Sequence, residues 1–136
     1  EDKYFLEKFG DYFTWIPYVP HSEIPNFYRE ADIYLYPSLF EGSSLSTYEA
    51  LASGLPVITT PNSGSVVRDK KDGFIIPIRD VEAIKEKILE LYHNRDLLNK
   101  MSKSARKQAE QYDWQTYHKR VSTLVGDILL KNGNKQ

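Results

Sequence analysis

The run Pro56-Val57-Ile58-Thr59-Thr60 constrains this chain more than any other segment. Four β-branched residues follow a proline, and a polar loop, Asn62-Ser63-Gly64, comes after them. Such a run, bounded by breakers, reads as a strand. Immediately upstream lies an apolar-rich segment, Leu45 to Ser53, with helical character. Gly54 is a natural C-terminal cap for that helix, and Pro56 prevents its continuation. Before the helix, Asp32-Ile33-Tyr34-Leu35-Tyr36 reads as another strand, stopped by Pro37. Strand, helix, strand in this order is the unit from which parallel sheets are built.

The same alternation extends in both directions. Phe13-Thr14-Trp15-Ile16 is β-prone and ended by Pro17 and Pro20. A helix is expected from His21-Ser22-Glu23 to about Glu30, capped by Ser22, with Ile24, Phe27, Tyr28 and Ala31 at helical spacing. A short helical turn is expected over Ser65 to Arg68. The turn Lys71-Asp72-Gly73 then leads to a fourth strand, Phe74-Ile75-Ile76. From Asp80, as cap, one apolar stripe runs through Val81, Ile84, Ile88, Leu91 and Tyr92, and Leu97, Leu98 and Met101 continue it. A last helix starts near Trp114 and turns Tyr117, Val121, Leu124, Val125 and Ile128 inward. The pattern predicts an α/β domain over residues 1–131, with a Rossmann-like parallel sheet, flanking helices and a frayed polar tail at 132–136. Four strands are few for a complete doubly wound sheet, so one or two are expected upstream of Glu1.

At 136 residues the chain has the length of one domain, and its 40% hydrophobic content can furnish a core. A net charge of −1 argues against a nucleic-acid partner. The densest basic stretch holds Lys100, Lys103, Arg106 and Lys107, which fit a solvated helix face or contact with an anionic membrane surface. With no cysteine, disulfides and thiolate metal sites are excluded. No apolar run approaches the roughly 18 residues that span a bilayer, and the start, Glu1-Asp2-Lys3, does not resemble a signal peptide. A cytoplasmic protein is expected, with a possible peripheral position at the inner face of the membrane.

Ligands of open parallel sheets bind beyond the carboxyl ends of the strands. The loop after the second strand holds that position and reads Ser38-Leu39-Phe40-Glu41-Gly42-Ser43-Ser44-Leu45. Its small residues leave backbone N–H groups free to meet an anion, and a helix N-terminus adds about half a positive charge. A diphosphate fits there. Glu41 lies just outside the helix start and Glu49 about one turn inside, so both can accept hydrogen bonds from sugar hydroxyls. A second reading of Glu49 is local: Ser46-Thr47-Tyr48-Glu49 matches a capping box, in which Glu49 reaches back to a backbone N–H. His21, His93 and His118 are scattered and form no metal-ligand cluster. Of the three, only His21 falls near the proposed site.

Two segments, Pro37-Ser38-Leu39-Phe40-Glu41-Gly42 and Tyr48-Glu49-Ala50-Leu51-Ala52-Ser53-Gly54-Leu55-Pro56-Val57-Ile58, together resemble the signature of the retaining GT-B glycosyltransferases of group 1. In that signature two Glu separated by seven residues precede Ala, a small residue and Gly-x-Pro-Val-Ile. The similarity continues through Asn62-Ser63-Gly64, Asp72-Gly73-Phe74, Pro77 and Asp80 to Tyr112-Asp113-Trp114, covering roughly Trp15 to Arg120. The resemblance implies the C-terminal, nucleotide-sugar-binding half of such an enzyme. Glu41 would touch the donor sugar and serve in catalysis, and Glu49 would hold the ribose. Gly42 belongs to the same loop, and the amides of Ser43, Ser44 and Leu45 would face the diphosphate and sugar. Tyr18 and Val19 would lie near the base. One departure is visible: the family's loop often reads Glu-Gly-Phe-Gly, and Ser43-Ser44 stand at its last two positions, which bears on the identity of the sugar.

The resemblance further implies a nucleoside diphosphate sugar as donor and no metal or other cofactor. It implies an upstream Arg and Lys on the diphosphate, and an N-terminal domain that binds the acceptor. This chain would then form one wall of the site and be inactive alone, with its last helix running back toward the partner domain and partly exposed. The setting it suggests is cell-surface polysaccharide or lipopolysaccharide synthesis. A nicotinamide-dependent dehydrogenase is argued against, since no Gly-x-Gly-x-x-Gly follows a strand, and the Gly-Lys-Ser/Thr phosphate loop is absent too. A regulatory or interaction domain with a degenerate nucleotide site stands as the alternative.

Overall fold

The computed structural model describes residues 7–133. Three parallel strands, β1 (Tyr34–Tyr36), β2 (Val57–Thr59) and β3 (Gly73–Ile75), lie side by side in that order. Tyr34 is in register with Val57, and Val57 with Gly73. Gly73 is required at that point: its φ is 150°, and a Cβ there would lie 1.9 Å from the Val57 carbonyl oxygen. Among the described residues, the sheet is flanked by helices α1 (Ile24–Glu30), α2 (Leu45–Ala52), α3 (Val81–His93), α4 (Arg95–Ala109) and α5 (Trp114–Gly133). Before them, residues 7–9 are helical and a 3-10 turn, Gly10–Tyr12, follows.

Successive strand residues face opposite sides of a sheet, and β2 shows this directly. Val57 packs with Ala50, Leu51, Leu55, Val67 and Ala105, whereas Ile58 packs with Phe74, Ile76, Leu91, Leu98 and Met101. Helix α4 therefore contributes to both cores, Leu98 and Met101 to one and Ala105 to the other. Gly54 ends α2 as expected: Leu55 N–H donates to the Ala50 carbonyl at 3.0 Å and Gly54 N–H to that of Leu51 at 2.9 Å, the paired bonds of a Schellman cap. Asp80 caps α3 through Ala83 N–H at 2.9 Å. Lys100, Lys103, Arg106 and Lys107 of α4 are exposed, on its solvated face.

Asp72 is fully buried between β2 and α4. It accepts from Arg68 Nε at 2.8 Å, from the Arg68 guanidinium at 2.7 Å, from Arg68 N–H at 3.1 Å and from Ser104 Oγ at 2.7 Å. Burial alone would raise the Asp72 carboxyl, but the bonds from Arg68 and Ser104 outweigh it and hold the group below the usual carboxylate range. Its own carbonyl takes Val57 N–H at 3.1 Å, tying the turn to the sheet.

Several expectations are corrected. Phe13–Ile16 is not a strand: Phe13 has extended dihedrals, but the segment is exposed and pairs with no strand among the described residues. β-Propensity selects extended backbone; only a neighbouring edge makes a strand. Helix α1 begins after Glu23, with no side-chain cap, so Ser22 does not cap it. Pro25 in its first turn fixes the backbone instead. The turn at Ser65–Arg68 is not helical, because Ser65 Oγ takes Val67 N–H at 3.2 Å and Asp72 takes that of Arg68. The stripe after Asp80 is two helices, since Asn94 closes α3 with its N–H on Glu90 and caps α4 with its side chain on Leu97 N–H. The inward face expected of α5 is exposed along Tyr117, Val121, Leu124, Val125 and Ile128. The partial exposure implied by the family resemblance is what the helix shows. It extends to Gly133, so it includes the first two residues of the expected tail; residues 134–136 and the first six lie outside the described part.

Candidate functional site

Because β1 and β2 are adjacent and parallel, the loops leaving their carboxyl ends meet. Thr60 Oγ1 donates to the Ser38 carbonyl, Asn62 Nδ2 to that of Leu39 at 3.2 Å, and Glu41 N–H to that of Asn62 at 2.8 Å. Gly64 closes the contact with φ 61°, where a Cβ would sit 2.4 Å from the Gly42 carbonyl oxygen. The loop carrying Glu41 is thus braced by the second loop rather than by the sheet alone.

At its end the chain enters α2. Ser44 is the N-cap residue, buried, with its Oγ 3.0 Å from Ser46 Oγ, and its carbonyl receives Thr47 N–H at 3.1 Å and Thr47 Oγ1 at 2.7 Å. The N–H groups of Ser43, Ser44 and Leu45 have no acceptor among the described residues. They are the unsatisfied donors of a helix start, at the positive end of its dipole.

The two carboxylates have different partners. Glu41, half-buried, accepts from Tyr36 OH at 3.2 Å on Oε2 and from Gly42 N–H at 2.9 Å on Oε1. Glu49 accepts from Tyr28 OH at 3.1 Å on Oε2, and His21 Nε2 lies 3.5 Å from its Oε1. The capping-box reading of Glu49 is therefore set aside: the carboxylate leaves its own helix and points to α1. Burial first, then the charges of Tyr34 and Glu49, raise the Tyr28 phenol above its ordinary value, so it stays a hydrogen-bond donor across the usual pH range.

Glu49 opens into a cavity of ≈ 580 Å³ that it lines together with Ser43, Leu45, Tyr48 and His21; the opposite wall is Tyr112, Trp114, Tyr117 and Arg120. Tyr112 meets Tyr48 edge-on at 5.8 Å and carries the Arg120 guanidinium 5.4 Å above its ring. Of the residues singled out by sequence, this cavity brings His21, Ser43, Leu45 and Glu49 together. Glu41, Gly42, Ser44, Tyr18 and Val19 do not line it, and Tyr18 is 80% exposed. The aromatic wall and Arg120 were not read from the sequence, nor were Tyr28 and Tyr36 as partners of the carboxylates. Tyr36 left one signal, as a polar-tipped aromatic at the end of the strand that feeds the loop.

A family model described as "Glycosyl transferases group 1" matches residues 6–108, most of the chain. The chain belongs to the group 1 glycosyltransferase family. Among its relatives is the alpha-monoglucosyldiacylglycerol synthase of Acholeplasma laidlawii, 30% identical over 131 residues, a match covering 95% of this chain and 32% of that protein. Among solved structures, the sucrose-phosphate synthase of Thermosynechococcus elongatus superposes with a TM-score of 0.84 at 21% identity, over 96% of this chain and 34% of that one. The pneumococcal O-GlcNAc transferase GtfA, solved in complex with UDP and GlcNAc, gives a TM-score of 0.75 at 24% identity, over 94% of this chain and 27% of that one. The chain spans about a third or less of the length of the curated relatives it matches. Its fold is that of a C-terminal-type GT-B domain. No helix among the described residues is long and apolar enough to cross a membrane, and no group of three or more His, Asp and Glu side chains there is placed to hold a metal ion.

Proposed function

We propose that residues 1–131 form the nucleotide-sugar-binding domain of a retaining glycosyltransferase. With an N-terminal acceptor-binding domain, it would transfer a sugar from a nucleoside diphosphate to an acceptor hydroxyl. The observation that carries this reading is the row of unpaired N–H groups at Ser43, Ser44 and Leu45, of which Ser43 and Leu45 line one cavity with Glu49. Donors fixed at a helix start suit a diphosphate, whose charge grows as the bond to the anomeric carbon breaks. Glu49 would accept from the ribose and Glu41 from the sugar hydroxyls, beside Gly42, with Tyr18 and Val19 toward the base. The acceptor oxygen would bond to the anomeric carbon on the face that the phosphate leaves. GtfA, with its UDP, supports a nucleotide donor by similarity of fold, and the alpha linkage in the synthase's name accords with retention.

The acceptor follows from the relatives more than from the residues. A glycolipid synthase among them favours a membrane-borne acceptor in surface polysaccharide or lipopolysaccharide synthesis. A peripheral position at the inner face of the membrane goes with it, and the exposed Lys100, Lys103, Arg106 and Lys107 supply a surface for anionic lipid. Calorimetric titration of the chain with UDP, GDP and ADP and their glucose conjugates tests the reading. Selective binding of one nucleotide, weakened about tenfold or more by Glu49→Ala, is the expected outcome. Binding of none, by this chain and by the longer protein, would leave an interaction domain.

A further inference from the structure

Both carboxylates of the candidate site are held by tyrosines, and the two tyrosines belong to one aromatic row. Tyr34 and Tyr36 are two residues apart on β1 and so share a face. Their rings stack at 6.1 Å with 12° between planes, and Tyr28 of α1 meets Tyr34 edge-on at 5.8 Å. The row ends in a hydroxyl at each side. At one end Tyr28 OH donates to Glu49, and at the other Tyr36 OH donates to Glu41. All three rings are half-buried, with Tyr28 and Tyr34 against the core that contains Val57, so the row is anchored on packed side chains.

A glutamate side chain loses rotamer freedom when a ligand immobilises it. An ionised carboxylate offers about four acceptor positions. Glu41 has one taken by Tyr36 and one by Gly42 N–H, which fixes its plane and leaves the remaining lone pairs for a ligand. Loss of the Tyr36 hydroxyl would leave Gly42, a sequence neighbour, as the only hydrogen-bond partner among the described residues, and one bond of that kind does not fix a carboxylate's rotation. We propose that Tyr36 is a positioning residue for Glu41 on the sugar side of the site and Tyr28 its counterpart for Glu49 on the nucleotide side. This rests on the donor-binding reading above. Its consequence is a division of labour: Tyr36 acts on recognition of the sugar, and Tyr28 on recognition of the nucleoside common to donor and product.

Titration of wild type, Tyr36→Phe and Tyr28→Phe with UDP, GDP and ADP and their glucose conjugates tests it. The comparison is made on the nucleotide that wild type binds best. Phenylalanine keeps both ring contacts, and equal melting temperatures confirm that the variants are folded. Tyr36→Phe is expected to weaken the sugar conjugate about tenfold while leaving the free diphosphate within about twofold. Tyr28→Phe should weaken both by a similar factor. In a Glu41→Ala background, Tyr36→Phe should have no further effect, as two residues acting through one contact require. Tyr36→Phe affecting donor and diphosphate equally, or neither, overturns the proposal while leaving donor binding intact. No binding by wild type, in this chain and in the longer protein, overturns donor binding and the proposal with it.

Discussion

Helices α4 and α5 are the two longest among the described residues, and both carry apolar residues at helical spacing. Along α4, Leu98, Met101, Ala105 and Gln108 are buried, and the helix lies against α2. Along α5, Trp114 is 68% exposed and Leu124 61%. Helical spacing reports which face of a helix is apolar; it says nothing about what covers that face. What separates them is the partner. The α4 stripe narrows to Ala105 and Ala109 where α2 approaches, and Ser102 lies beside Gly54, within ordinary contact of a Cβ added there. Small residues on both helices allow the approach. Helix α5 offers bulky side chains and meets no equivalent surface, apart from its first turns at the cavity.

The same truncation in the two regions separates them most sharply. Leu51→Ala, in the core between α2 and α4, is expected to cost about 3–4 kcal/mol in urea unfolding, from lost burial and an unfilled cavity. A cost below about 1 kcal/mol would mean that this core is loosely packed. Asp72→Asn comes next, at about 2–3 kcal/mol, because it removes the carboxylate from the partly exposed Arg68 and from Ser104. It also changes the pH dependence. The folded-state pKa of Asp72 is depressed, so its contribution is complete above the ordinary carboxylate value of about 3.9 and is lost as pH falls through the depressed value. Wild type should therefore lose stability on acidification below about pH 4, and the Asn variant should lose less over that window. An unchanged slope would remove Asp72 from the account. Smallest of the three is Leu124→Ala on α5, expected to change stability by under about 0.5 kcal/mol. A larger loss would show that α5 is packed in solution.

Much of this architecture was legible because local signals agreed with each other. The Gly54–Pro56 stop, the β-branched run after it and the Asp80 cap each named an element that formed. Helix ends set by tertiary or side-chain competition were harder to read. Nothing in Ser65–Arg68 shows that Asp72 will take the Arg68 amide, and Asn94 breaks an apolar stripe whose period continues through it. Phe13–Ile16 has the composition of a strand without a strand to pair with. In the candidate site, the unpaired loop amides were readable from spacing, since a helix start leaves such donors, whereas for Glu49 the spacing left a ligand role and a capping box both open. Glu41's tether to Tyr36 was not, because it depends on how the loop folds back over the end of β1. Of the aromatic wall, Tyr117 was misread for the same reason as α5, as a residue facing inward, whereas Tyr112 was read only as part of the family resemblance and Trp114 as part of it and as the start of the last helix.

Amide-resolved NMR of the chain, titrated with the glucose conjugates of UDP, GDP and ADP, tests the central claim most directly. The account predicts that for one of them the N–H signals of Ser43, Ser44 and Leu45 shift first and furthest, and that Glu49→Ala weakens the same response about tenfold or more. Shifts centred on the exposed faces of α4 or α5, or a response at Ser43–Leu45 that Glu49→Ala leaves unchanged, would contradict it.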